Sequence, residues 1–189
     1  MKLEQNLPAP IFNLQDIFGR TINLEDYKDK RVFIGFFRHA GCPFCNLRVH
    51  TLTKLHTELR RKNLEMIFFF ESKEKVLLRS IFHKEVSPIP LISDPEKKWY
   101  SAYGLESSAL ISAKSHITSF VQTAFKAKKA GVPIHAMADG ESINTIPAEF
   151  LLDRGLIIKK VHYAYAKGLN DRIDVDIIKA FAEDGTVLQ

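Results

Sequence analysis

Phe33-Ile34-Gly35-Phe36-Phe37-Arg38-His39-Ala40-Gly41-Cys42-Pro43-Phe44-Cys45 holds both cysteines of the chain, three positions apart. They follow an apolar run and open a long amphipathic segment, Asn46 to Lys62. A strand that runs into Cys-x-x-Cys at the start of a helix reads as a redox dithiol. Residues i and i+3 on a helix share a face, with Cβ atoms about 5–6 Å apart, close to the reach of a disulfide. So small a ring removes little entropy from the unfolded chain, so such a bond serves chemistry better than stability. Unpaired N–H groups at a helix N-terminus favour a thiolate. Cys42, at or just before the first turn, is therefore the expected attacking thiolate, and Cys45 the resolving thiol. Pro43 at the first helical position has its φ preset and lacks an N–H that would go unpaired there. Arg38 and His39 add positive potential if they face the pair.

Two cysteines one turn apart also suit half of a zinc site, or inert positions in a core. Structural zinc normally takes four ligands, and the chain has no second Cys-x-x-Cys. His39 and His50 are available as further ligands. Strand context, Pro43 and spacing agree on redox chemistry, with no metal and no cofactor.

The 189 residues suit one domain, 1–189, with a sizeable core. Apolar residues at 46% and charged residues at 26% are an ordinary globular balance. The net charge of +5 favours the approach of anions. No Arg/Lys-rich block or aromatic ladder supports nucleic-acid binding. No apolar h-region opens the chain and no run reaches transmembrane length, so the expected setting is cytoplasmic, without a membrane. There, a single Cys-x-x-Cys is more often catalytic than a structural staple.

Outward from the motif, Arg31 to Phe37 is too continuously apolar for a half-exposed strand and reads as a central strand covered on both faces. Residues 12–24 read as a β-hairpin turning at Phe18-Gly19. A helix over 42–62 buries Leu52, Leu55 and Leu59. A second buried strand, Glu65 to Phe70, precedes a helix over Lys73 to Lys84. Pro88 to Ser93 gives a short strand, and a helix then starts at Asp94-Pro95-Glu96 and runs through Tyr103. Residues 105–144 interrupt the alternation with a helical insertion, whose inward stripe is Ile117, Phe120, Val121, Ala124 and Phe125. That helix ends near Gly131-Val132-Pro133 and packs on the domain, caps the site or docks a partner. Residues 148–163 form a second hairpin. A last helix is capped by Asn170 or Asp171, with Ile173, Ile177, Ile178 and Phe181 inward. The pattern is α/β, a mixed central sheet sandwiched by helices.

With these pieces placed, the chain resembles the thioredoxin superfamily over roughly residues 7–182, and within it the peroxiredoxin-like AhpC/TSA (alkyl hydroperoxide reductase/thiol-specific antioxidant) branch. The resemblance rests on Pro10-x-Phe12-x-Leu14 with Gly19, on Leu24-x-x-Tyr27-x-x-Lys30-Arg31, and on Phe36 to Cys45. Ser93-Asp94-Pro95, Trp99-Tyr100-x-x-Tyr103-Gly104-Leu105 and Pro147-x-x-Phe150-Leu151-Leu152-Asp153-x-x-Gly155 continue it. It implies a thioredoxin-like fold. Overlaid on the peroxiredoxin loop Pro-x-x-x-Thr-x-x-Cys, Cys45 takes the peroxidatic position, Cys42 the threonine and Arg38 the proline. Pro147 takes the place of the substrate-activating arginine. Overlaid on thioredoxins, Cys42 and Cys45 match the dithiol, and Ile146-Pro147 matches the Ile–cis-Pro that faces it and pairs with substrate. Phe36 stands where thioredoxins carry a buried aspartate.

The expected activity is thus a thiol–disulfide oxidoreductase that reduces or exchanges disulfides through a Cys42–Cys45 cycle. Ile146, Pro147, Pro43, Phe44 and Arg38 are its candidate substrate-binding residues. The expected partners are a protein or small-molecule thiol or disulfide, with an external thiol as electron donor. A peroxiredoxin-like antioxidant reducing hydroperoxides through Cys45 is the second reading. The third is a non-catalytic redox-sensing or binding module that uses the 105–144 segment.

Overall fold

The computed structural model describes residues 2–80, 86–105, 125–131, 142, 144–164 and 171–187. A five-stranded sheet in the order β5-β4-β3-β6-β7 forms the centre. Its strands are β3 (Arg31–Phe36), β4 (Leu64–Phe70), β5 (Leu91–Ser93), β6 (Ala148–Asp153) and β7 (Ile157–Tyr163). β3 pairs parallel with β4, and β4 with β5; β6 runs antiparallel to both β3 and β7. β1 (Asn13–Gln15) and β2 (Thr21–Asn23) form the separate N-terminal hairpin. Four α-helices have both ends among the described residues: α1 (Pro43–Arg61), α2 (Glu74–Arg79), α3 (Lys98–Ala102) and α4 (Val175–Asp184).

β3 sits in the middle of the sheet with every residue buried, as its unbroken apolar sequence requires. Side chains alternate across it. Phe33 and Phe37 join Phe68, Phe70 and Leu151 beneath Val49, Leu52 and Leu59 of α1 and Ile178 and Phe181 of α4. Val32, Ile34 and Phe36 join Phe69, Phe150 and Tyr103 on the opposite face. Gly35 faces α1 between two aromatic rings: a Cβ there would lie 2.8 Å from the Phe37 ring and 3.0 Å from that of Phe33.

Both hairpins and the 42–62 helix lie where the sequence puts them, within a residue or two. Other elements differ. The Asp94 carboxylate accepts the N–H groups of Lys98, Trp99 and Tyr100, and Lys97 is left-handed, with φ 58°. Residues 94–97 therefore form a turn, and α3 starts at Lys98. The α4 cap is Asp174, whose side chain accepts the Asp176 N–H at 2.9 Å, rather than Asn170 or Asp171; Asn170 lies outside the described residues. Ile173 is buried but precedes the helix. The expected helix over 73–84 is seen as 74–79, with 81–85 outside the described residues. Most of the 105–144 insertion lies outside them too. In its described part, 125–129 is helical, but Phe125 is 72% exposed and Ala127 is the buried residue. The inward face there centres on Ala127, not on the stripe that ends at Phe125.

Candidate active site

The site forms where β3 ends and α1 begins. Phe37 leaves the sheet with its N–H on the Phe69 carbonyl and its own carbonyl bonded by the Tyr100 hydroxyl. The loop that follows is anchored in three places. Glu71 N–H reaches the Arg38 carbonyl at 3.3 Å. The Ala40 N–H donates to Ser72 Oγ at 2.7 Å. The Asn46 side-chain amide donates to the Ala40 carbonyl, also at 2.7 Å. Cys42 then takes the N-cap position with extended backbone and Pro43 opens α1. Proline suits that position because the missing N–H has no helical partner there in any case.

Both cysteines are free thiols in this structure, and both are buried, at 1% and 2% exposure. They contact each other by a side-chain hydrogen bond. Burial pushes the Cys42 thiol up, but the hydrogen bond from Cys45 and the positive charge of Arg38 outweigh it, and the thiol is lowered to about 7. Cys45 moves the other way. Burial, its hydrogen bond to Cys42 and the Cys42 charge all push it well above the ordinary thiol range. The Arg38 side chain is fully buried, with Nη1 3.9 Å from Cys42 Sγ and the backbone N–H 3.4 Å from Cys45 Sγ. Arg38 thus touches both sulfurs, one through its side chain and one through its backbone.

Cys45 also faces a narrow cleft lined by Phe37, Pro147, Ala148, Glu149, His162, Asp171 and Arg172. Pro147 and Cys45 therefore share one cleft, as the thioredoxin overlay implies. The expected cis bond is not found: no described peptide bond is cis, so Ile146–Pro147 is trans. Thr145 is tied to Glu71, and the Pro147 carbonyl accepts the Ala164 N–H. The chain thus enters β6 extended, without the tight turn a cis proline serves. Ile146 is fully buried, and Phe44 is part of the core under α1. Pro43 is buried beside it.

Sequence reasoning missed the charged residues below the cysteines. Arg48, one turn into α1 beyond Cys45, meets Glu149 of β6 in a two-pronged pair at 2.7 and 2.8 Å, and also donates to the Ile173 carbonyl. Glu149 accepts the Ile173 N–H as well. Arg172 donates to the Phe44 carbonyl at 3.1 Å. Burial lowers its hold on its proton, while Glu149 and the cysteine pair raise it. Arg48 and Glu149 carried a signal: each is a lone charge in an otherwise buried apolar pattern, and their signs are opposite. Arg172 carried none, since it sits in a polar segment before α4.

A mixed sheet flanked by helices, with Cys-x-x-Cys where the central strand meets a helix, defines a thioredoxin-superfamily fold. The sequence pattern of the AhpC/TSA family matches residues 6–161, and the chain belongs to that family, the peroxiredoxin-like branch of the superfamily. Among curated proteins it is similar to peroxiredoxin Bcp of Escherichia coli K12, at 28% identity over 97 residues, 51% of this chain and 62% of that protein. It is similar also to the thiol-disulfide oxidoreductase ResA of Bacillus thuringiensis strain Al Hakam, at 24% identity over 104 residues, 55% of this chain and 60% of ResA. Each match thus spans less than two thirds of the relative's length. Among solved structures, peroxidoxin BcpB of Mycobacterium tuberculosis has the same fold, with a TM-score of 0.65 and 13% identity over 95% of this chain and 96% of that one.

Proposed function

We propose that the protein is a thiol-dependent oxidoreductase that reduces or exchanges disulfides through a Cys42–Cys45 dithiol/disulfide cycle. The observation that carries this is the split between two touching thiols, Cys42 lowered to about 7 and Cys45 raised. In the cycle the Cys42 thiolate attacks one sulfur of a substrate disulfide and expels the other as thiolate. Cys45 loses its proton and attacks Cys42 Sγ, the second substrate thiolate leaves, and a Cys42–Cys45 disulfide remains. An external thiol donor returns the pair to the dithiol. Pro147 stands beside Cys45 to receive substrate, and Arg38 holds the negative charge on Cys42. Membership of the AhpC/TSA family and the likeness to ResA support the reading. We take the chain to act as one redox domain in the cytoplasm, where dithiols are kept reduced. No described helix is long and apolar enough to cross a membrane.

The burial of both sulfurs favours a second reading, a hydroperoxide as substrate, because a small molecule reaches such a site more readily than a protein disulfide. On this reading the peroxide meets Cys42, the thiol lowered to about 7, where the peroxiredoxin overlay has Cys45. The thiolate takes one peroxide oxygen, the alcohol leaves, and Cys45 condenses with the sulfenic acid and releases water.

NADPH-coupled turnover with a protein disulfide, a small disulfide and a hydroperoxide separates the two. Faster turnover of disulfides supports the leading reading, and hydroperoxide turnover alone replaces it with the second. An absence of turnover with all three, from a protein that stays reduced, leaves the binding or sensing module.

A further inference from the structure

Either form of the cycle needs Cys45 to give up a proton, and the fold makes that hard. Cys45 is buried, and its thiol is pushed well above the ordinary range. Phe36 occupies the strand position that the thioredoxin overlay assigns to a buried carboxylate, and its side chain packs against the other face of the sheet, stacked on Phe69. The cleft below Cys45 is lined instead by His162 and Asp171, with Glu149 and Arg172. His162 is the direct cross-strand partner of Glu149, so the two side chains stand on the same face of the sheet. That is the face under α1, because Glu149 reaches Arg48 there. His162 Nε2 lies 3.1 Å from Asp171 Oδ1. The cleft has a volume of about 10 Å³, room for about one water.

We propose that His162, with the Asp171 carboxylate beside its ring, is the proton acceptor for Cys45 in the ring-closing step, acting across a single water in this cleft. The inference rests on the dithiol cycle proposed above. The Cys45 S–H gives its proton to the water as the water gives one to the imidazole. The thiolate forms a bond to Cys42 Sγ, and the bond from Cys42 to the substrate sulfur breaks with its electron pair on the departing sulfur. His162 then returns the proton to that leaving thiolate. No outside oxidant is consumed beyond the substrate disulfide.

The other charged groups around His162 leave it this role. Glu149 spends both oxygens on Arg48 and the Ile173 N–H. Arg48 and Arg172 are cations that accept no proton. Arg38 lies on the side of Cys42. The Asp171 carboxylate lies 3.1 Å from Nε2 but outside hydrogen-bond geometry, so it supports a protonated ring by its charge.

The test separates the two thiol steps. Reduced protein is mixed with glutathione disulfide, and quenched samples are weighed by mass spectrometry for the Cys42 mixed disulfide and for the closed Cys42–Cys45 disulfide. His162→Gln is expected to form the mixed disulfide at the wild-type rate and to close it about 10²-fold more slowly, the low end for loss of a general base. Asp171→Asn, which keeps the imidazole, is expected to slow closure less and to leave the first step alone. Closure at the wild-type rate in both variants, or equal slowing of both steps, overturns the assignment. A wild-type protein that stops at the mixed disulfide overturns the dithiol cycle itself, and this inference with it.

Discussion

The Arg38 guanidinium lies 3.9 Å from the Cys42 sulfur with no exposure to solvent. A cation so placed stabilises the thiolate far more than one at the surface, because little water screens it. Arg38→Met is expected to move the ultraviolet titration of the Cys42 thiolate up from about 7. A shift of about one unit would leave about fivefold less thiolate at neutral pH, and a disulfide would react about twofold more slowly, because the more basic thiolate is the better nucleophile. The sign for the wild-type protein follows from the same group. The thiolate is the reactive form, so the rate of the first step falls as pH drops through about 7 and levels off above it. An unmoved titration in Arg38→Met would assign the shift to the Cys45 hydrogen bonds and the Arg172 charge instead.

Arg48 and Glu149 make the buried ion pair that joins α1 to β6 beneath the cysteines. Removing one partner strands a charge. Arg48→Ala is expected to cost about 3–5 kcal/mol in urea unfolding. The double change Arg48→Met with Glu149→Leu should recover most of that loss, because a well-packed apolar pair often equals a buried ion pair. A double variant as unstable as the single one would mean that the hydrogen bonds to Ile173, rather than the charges, hold this region.

Ser72 holds the cysteine loop through the Ala40 N–H, and the Ser93 hydroxyl donates to the Ser72 carbonyl behind it. Ser72→Ala leaves a buried N–H without its acceptor and should cost about 1–3 kcal/mol. The loop sets the Cys42 cap, so thiolate reactivity should fall as well. Full stability in this variant would show that another acceptor takes the N–H.

Gly35 faces α1 with aromatic carbons where a Cβ would stand, the nearest at 2.8 Å. Gly35→Ala must displace the Phe37 ring, at the start of the loop that carries the site. Overpacking of this kind typically costs about 1–3 kcal/mol. Thermal unfolding of the variant measures it, and a cost near zero would mean that the Phe37 ring moves aside freely.

The sequence was most informative where the chemistry is local. The run from Phe33 to Cys45 carries the strand, the turn and the dithiol together, so its reading needed no knowledge of the rest of the fold. The unbroken apolar character of β3 likewise implied cover on both faces, and the pairings with β4 and β6 supply the setting. Arg38 was legible as a cation near the motif because it is four residues from Cys42. His162, Asp171 and Arg172 were not, because they are more than a hundred residues away; His162 reaches the cleft only once β7 pairs with β6. The cis proline failed for a different reason. The overlay carried over a dipeptide, while the bond depends on the turn before it, and here Thr145 and Glu71 hold that segment extended. Asp171 looked like a helix cap by residue type, but Asp174 sits at the point where the backbone turns helical, and Asp171 lies beside His162 instead.

The central claim is that Cys42 attacks and Cys45 resolves. The most direct measurement is to expose the reduced protein briefly to glutathione disulfide at neutral pH, quench with acid, and map by mass spectrometry which cysteine carries the first glutathione. Cys45→Ser, which cannot close the ring, preserves that adduct for comparison. The account predicts the adduct on Cys42, persistent in Cys45→Ser and absent in Cys42→Ser. An adduct that forms first on Cys45, or that forms as readily in Cys42→Ser, would contradict it.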